Sequence, residues 1–165
     1  MILYARIATP LGPLIATAVE GALTATHFED SRHAPDITRD WVEAPRALAL
    51  SECARQLAEY FSGTRQHFEL SLLARGTPFQ ERIWHEIARI PFGETTTYAA
   101  LAARSGKAGA ARAAGAATGR NPLSILIPCH RVVGSSGTLT GYAGGVERKA
   151  RLLALEGAGA MMRAA

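Results

Sequence analysis

Cysteine is nearly absent: the 165 residues hold two, Cys53 and Cys129. Two thiols cannot build a disulfide framework, so a reducing, cytoplasmic setting is expected. No apolar run approaches the roughly 20 residues that cross a bilayer. The opening Met1-Ile2-Leu3-Tyr4-Ala5-Arg6 also lacks the basic-then-apolar layout of a signal peptide. No membrane partner is therefore expected. His27, His33 and His67 have only Cys53 for company, in no ligand-like spacing, so no metal is expected either. The most informative absence is one of charge. Between Glu94 and Glu147 there is no acidic side chain, while Arg104, Lys107, Arg112, Arg120 and Arg131 all fall there.

That gap divides the chain. Up to Gly76 there are seven Arg and Lys against nine Asp and Glu; from Thr77 onward there are eleven against five. The net charge of +4 conceals the asymmetry. A one-signed field over one half of a protein attracts a polyanion such as DNA. A hydrophobic share of 48% supports a globular core and excludes a disordered chain.

The fold class expected is α+β: a small N-terminal strand-and-helix lobe with an antiparallel sheet, residues 1–76, packed on a mostly helical C-terminal lobe, residues 77–165. Leu3 to Phe28 reads as short strands, with turn chemistry at Thr9-Pro10-Leu11-Gly12-Pro13 and Glu20-Gly21. A polar loop follows from Arg32 to Ala44. A helix is predicted from Pro45, with Leu50, Cys53, Leu57 and Tyr60 or Phe61 on its apolar stripe, so Cys53 is assigned to core packing. His67 to Leu72 alternates like another strand. Thr77-Pro78-Phe79-Gln80 is a capping box with proline at the first helical position. Phe79, Ile83, Ile87 and Ile90 then share one face, and Trp84 reads as core. Helices from Tyr98 to Arg104 and from Gly109 to about Thr118 form a helix-turn-helix outline. The last helix carries Val146, Leu152, Leu153 and Leu155, and a frayed tail is expected from Ala158 to Ala165.

Two segments carry chemistry. Pro128-Cys129-His130-Arg131-Val132 follows the strand-like run Leu123 to Ile127 and sets a thiol beside an imidazole and a guanidinium. Neighbouring positive charge or a base turns a thiol into a nucleophilic thiolate. Gly109-Ala110-Ala111-Arg112-Ala113-Ala114-Gly115-Ala116-Ala117 has a single long side chain, Arg112. A helix so small-sided can approach a narrow groove closely. It has little with which to read base edges, so low sequence specificity is expected.

Together these residues resemble the O6-alkylguanine-DNA alkyltransferases, also called methylated-DNA–protein-cysteine methyltransferases. The resemblance runs through Phe79-Gln80, Trp84, Ile90-Pro91-Phe92-Gly93-Glu94, Tyr98, Ala111-Arg112-Ala113, Asn121-Pro122, Ile127 to Val132, Gly141-Tyr142-Ala143-Gly144-Gly145 and Glu156-Gly157. It spans nearly all of Thr77 to Gly157, about half the chain. The N-terminal half matches only in character, as the family's variable lobe.

The resemblance implies single-turnover repair without a cofactor, on double-stranded DNA carrying O6-alkylguanine and also O4-alkylthymine. Cys129 would accept the alkyl group. His130 would be its general base through a water, with Glu156 orienting the imidazole and Asn121 bracing the site. Tyr98 would protonate or hydrogen-bond the departing base and crowd the backbone phosphate. Val132, Tyr142, Ala143 and Gly144 would line the substrate pocket. Arg112 would fill the gap left by the flipped nucleotide, with Ala111, Ala113 and Gly115 facing the minor groove. The protein would act as a monomer. An alkyl carbon on a stacked base is out of a cysteine's reach, so extrusion at a cost of a few kcal/mol is physically required. Three rivals are a lesion binder without the acceptor, a helix-turn-helix binder with an incidental Cys129, and a Cys-His hydrolase. Cys129 opposes the first, and the acid-free window is unexplained by the last.

Overall fold

The computed structural model describes residues 1–158 and the backbone of Arg163–Ala164. It resolves into two compact units: Met1–Ala74 with Pro122–Ser124, and Arg75–Asn121 with Ile125–Ala165.

In the first unit, β1 (Leu3–Ile7), β2 (Leu14–Val19) and β3 (Ala22–Phe28) form an antiparallel meander. A short fourth strand, β4 (Val42–Glu43), joins β1 in parallel, giving the order β3-β2-β1-β4. The expected antiparallel sheet is thus mixed at one edge, inside the stretch read as loop. Alternation is loose because β2 is buried along nearly its whole length, as for a strand covered on both faces. Helix α1 (Leu48–Phe61) buries Leu50, Cys53, Gln56, Leu57 and Tyr60. It begins three residues later than Pro45, without a side-chain cap.

The strand expected over His67–Leu72 is absent apart from a bridge between Leu72 and Leu23. Buried Gln56 takes the place of a strand partner: its amide accepts from the Glu69 N–H at 2.8 Å and donates to the Glu69 carbonyl at 3.1 Å. The apolar run Leu123–Ile127 is not a strand either. Leu123 makes one bridge with Thr26, Ser124 N–H donates to the Thr26 carbonyl, and Ile125 turns the chain at φ 72°. All five residues are buried, and a buried loop carries the same apolar signature as a buried strand.

The second unit is mostly helical. In α2 (Pro78–Ala88), Thr77 and Gln80 exchange both capping-box hydrogen bonds. Ile83, Trp84 and Ile87 point inward, and the Trp84 indole N–H donates to the Ala117 carbonyl at 2.8 Å. A two-residue strand β5 (Thr96–Thr97) leads into α3 (Tyr98–Arg104), capped by Thr97. The link to α4 turns at Gly106 and Gly109, both with positive φ. Helix α4 (Ala111–Gly119) starts after that second turn, not at Gly109, because φ of 84° there is outside the helical region.

Then come one 3-10 turn, Cys129–Arg131, and β6 (Val132–Val133), which pairs in parallel with β5. Strand β7 (Thr138–Leu139) precedes α5 (Val146–Leu155). The backbone of β8 (Arg163–Ala164) pairs with β7. Leu152 and Leu153 are buried, whereas Leu155, expected on the same stripe, is exposed. The frayed tail expected over Ala158–Ala165 falls mostly on 159–162 and 165, outside the described residues. Among the described residues no helix is long and apolar enough to cross a membrane.

Candidate functional site

Cys129 lies in the 3-10 turn, 6% exposed, its N–H donating to the Ile127 carbonyl at 2.8 Å. Residues 129–131 form a single tight turn between the buried loop and β6. Burial pushes the Cys129 thiol above its ordinary range; a hydrogen bond from the Asn121 side chain, the charge of Lys149 and backbone N–H groups act the other way. At rest it is a protected thiol surrounded by groups that favour its anion. Cys53, pushed up to about 12 by burial alone, has no such company.

Asn121 is buried just beyond α4, and its amide donates to the Ile127 carbonyl at 2.8 Å. His130 is fully buried. Its Nε2 lies 2.9 Å from both Glu156 oxygens, while Nδ1 is buried with no partner among the described residues. Burial lowers the His130 pKa although Glu156 raises it, so the ring is neutral near pH 7. Nε2 then carries the proton toward Glu156, and Nδ1 presents a lone pair.

Glu156 caps the end of α5. Burial would raise its pKa, but hydrogen bonds from His130 and Arg131 outweigh this and hold it at about 2. The clamp is Arg131, whose role the sequence did not disclose. Its Nε donates to Glu156 at 2.7 Å, its Nη2 at 3.0 Å, and its Nη1 to the Ile90 carbonyl at 2.6 Å. A carboxylate held by a forked guanidinium is a rigid orienter for an imidazole.

Tyr98 opens α3 directly after the β5–β6 ladder, which pairs Thr96 with Val132 and Thr97 with Val133. In that parallel register Tyr98 continues toward Gly134, and Cys129 acts on its hydroxyl through charge. The Tyr98 hydroxyl lies 3.4 Å from both the Thr140 hydroxyl and the Lys149 ammonium. Burial raises its pKa, which favours a neutral proton donor.

Lys149 is the second residue that sequence reading missed. It is completely buried on α5, donates to the Thr140 carbonyl at 2.9 Å, and is pushed down to about 8 by burial. The only available signal was its neighbour pattern: a lysine four residues past a glycine loop resembles any solvated helix position.

Val132 is fully buried on β6. Tyr142, Ala143 and Gly144 form a half-buried loop before α5, closed by the Gly145 N–H donating to the Tyr142 carbonyl at 2.9 Å. Asn121, Lys149 and Tyr98 thus form one network around Cys129, and His130, Glu156 and the unforeseen Arg131 form a hydrogen-bonded cluster that begins at the next residue. Arg112 and Ala113 stand apart from it, exposed on α4; Ala111 and Gly115 are half-buried on that helix. A Cβ on Gly115 would lie 3.7 Å from the Tyr98 ring, so α4 and the network meet there. Among the described residues no three His, Cys, Asp or Glu side chains gather as a metal site.

Both units hold paired cations, Arg89 with Glu86 and Arg131 with Glu156 in the second. In the first unit Arg6, Arg55 and Arg65 are each paired with a glutamate. Among the described residues, no carboxylate pairs with Arg104, Lys107, Arg112 or Arg120 around α3 and α4. Fold and site together define a class: an α+β protein with a buried, tunable thiol and an unpaired cationic helix pair.

Comparison with known proteins specifies it. Residues 78–158 match the family described as 6-O-methylguanine DNA methyltransferase, DNA binding domain, and residues 2–74 match its ribonuclease-like domain. The methylated-DNA–protein-cysteine methyltransferase of Mycolicibacterium paratuberculosis is 45% identical over 94% of this chain and 93% of its own. That of Methanosarcina barkeri is 44% identical over 93% and 96%. The crystal structure of Mycobacterium tuberculosis OGT in complex with DNA superposes with a TM-score of 0.87 at 42% identity, over 94% of this chain and 92% of that one. The chain belongs to the methylated-DNA–protein-cysteine methyltransferase family.

Proposed function

We propose that this protein repairs DNA by direct reversal, moving an alkyl group from O6-alkylguanine, and also from O4-alkylthymine, onto Cys129. Family membership supplies the reaction class, and the network around the thiol supports the assignment of roles. The Cys129 proton passes through a water to Nδ1 of His130. The thiolate attacks the alkyl carbon, forming the S–C bond as the C–O bond breaks. The electron pair returns to the guanine ring, which takes a proton from Tyr98, and the proton held by His130 returns through water to the phenolate. Glu156 holds the imidazole and Asn121 steadies the thiolate. Val132, Tyr142, Ala143 and Gly144 line the base pocket. A thioether offers water no leaving group, so each molecule acts once and needs no cofactor.

The observation that carries the reading is a buried histidine whose Nδ1 has no partner among the described residues and whose other nitrogen is fixed by Glu156. A buried polar atom without a partner is costly and calls for a functional reason. Abstracting a thiol proton is one.

The small-sided α4 enters the minor groove with Ala111, Ala113 and Gly115, and Arg112 takes the place of the extruded nucleotide. Base-sequence specificity is low, and the protein acts as a cytoplasmic monomer. The test is intact mass after incubation with a duplex carrying O6-methylguanine. A gain of one methyl per protein, mapped to Cys129, is expected, and Cys129→Ala binds the duplex without gaining mass. Repeated lesion removal by an unmodified protein would instead mean a hydrolase.

A further inference from the structure

The α3–α4 link carries a cation that is placed rather than loose. Lys107 is exposed, yet its backbone is fixed at both ends: its N–H donates to the Ala102 carbonyl at 3.0 Å, and its carbonyl accepts from Ala110 at 3.0 Å. Its ammonium sits 4.8 Å from the centroid of the half-buried Phe79 ring at the start of α2. The Arg82 guanidinium lies 5.9 Å from the centroid of that same ring. Neither cation has a carboxylate partner among the described residues. Two like charges gathered within about a Debye length of each other, without a counterion, repel. An anion arriving there relieves the repulsion and finds one donor already positioned. An aromatic ring under an ammonium favours that arrangement without neutralising it.

We propose that Lys107, seated on Phe79 with Arg82 beside it, is a DNA-phosphate clamp that holds the duplex where α4 begins. The proposal rests on the DNA-repair reading above. Lys107 stands four residues before Ala111 in a link pinned by hydrogen bonds, so the phosphate it grips flanks the site that Arg112 enters. The clamp reads the backbone alone and adds affinity without base preference.

Affinity of the full-length protein for an undamaged duplex, measured across a salt series, tests this. Lys107→Gln is expected to weaken binding severalfold at low salt and to flatten the slope of log affinity against log salt by about 1. Phe79→Leu keeps the charge and loses the seat, so affinity falls while the slope is retained. Arg55→Gln, which removes a cation paired in the first unit, is expected to change neither. A Lys107→Gln slope equal to wild type overturns the phosphate contact, and wild-type affinity in Phe79→Leu overturns the seat. Circular dichroism of each variant separates loss of fold from loss of contact. If the wild-type protein binds no duplex at all, the DNA-repair reading itself fails, a result distinct from an unchanged slope.

Discussion

An ammonium with no exposed surface acts electrostatically on the Cys129 thiol. Lys149 is held by the Thr140 carbonyl and Tyr98, and burial brings its pKa from 10.5 to about 8. At neutral pH it keeps its proton and favours both the Cys129 thiolate and a fixed Tyr98. Losing a charged hydrogen bond of about 1.5–3 kcal/mol in Lys149→Met should slow alkyl transfer roughly ten- to a hundredfold, read by single-turnover kinetics. Its titration has a definite sign. From pH 8 to 10.5 the unfolded chain holds more protons than the folded one, so folded stability rises with pH in that window. Urea midpoints of wild type should therefore gain on those of Lys149→Met over it; parallel curves would refute the assignment. Glu156 behaves oppositely. Its pKa is depressed from 4.5 to about 2, so its contribution is complete above 4.5 and is lost as pH falls toward 2. Glu156→Gln strands the buried Arg131 guanidinium and should cost about 3–5 kcal/mol at pH 7, measured by urea denaturation.

Among the elements, α2 and α4 were written differently into the chain. The start of α2 was legible because a capping box is local: Thr77 and Gln80 need only each other. Thr77→Ala should cost about 1 kcal/mol in a thermal or urea melt. The small-sided α4 was legible as an oddity of composition, and its exposed face keeps Ala113 and Arg112 in solvent. Ala113→Leu should leave stability within about 0.5 kcal/mol while weakening duplex binding at least tenfold, since the larger side chain bars close approach. Equal affinity would remove α4 from the groove. The two expected strands that did not form, at 67–72 and 123–127, fail for a shared reason. Alternation and apolar runs report burial, and burial is satisfied as well by Gln56 capturing Glu69, or by the turn at Ile125, as by a ladder.

Across the whole molecule, the cations around α3 and α4 stand out as a group. Arg6, Arg55 and Arg65 in the first unit are paired with glutamates, whereas among the described residues no carboxylate pairs with Arg104, Lys107, Arg112 or Arg120. If about five phosphates are neutralised, affinity should fall on the order of 10²- to 10³-fold between 50 and 200 mM salt, measured by fluorescence anisotropy. A flat dependence would mean that this field does not serve DNA. Because no acidic residue interrupts 95–146, the charge asymmetry belongs to the chain itself and survives any folding detail.

The amino-acid order alone determined the α+β class, the capping of α2, the core role of Cys53, the cationic half and the family motif around Cys129. Each is either local in sequence or a sum over composition, so no long-range contact is needed to read it. Only the tertiary structure decided that Arg131 grips Glu156 from 25 residues away, that Lys149 is buried rather than solvated, and that Nδ1 of His130 is left open. Those facts depend on which side chains the packed chain shuts off from water. Desolvation, which sets their charge and their chemistry, exists only once the core has closed.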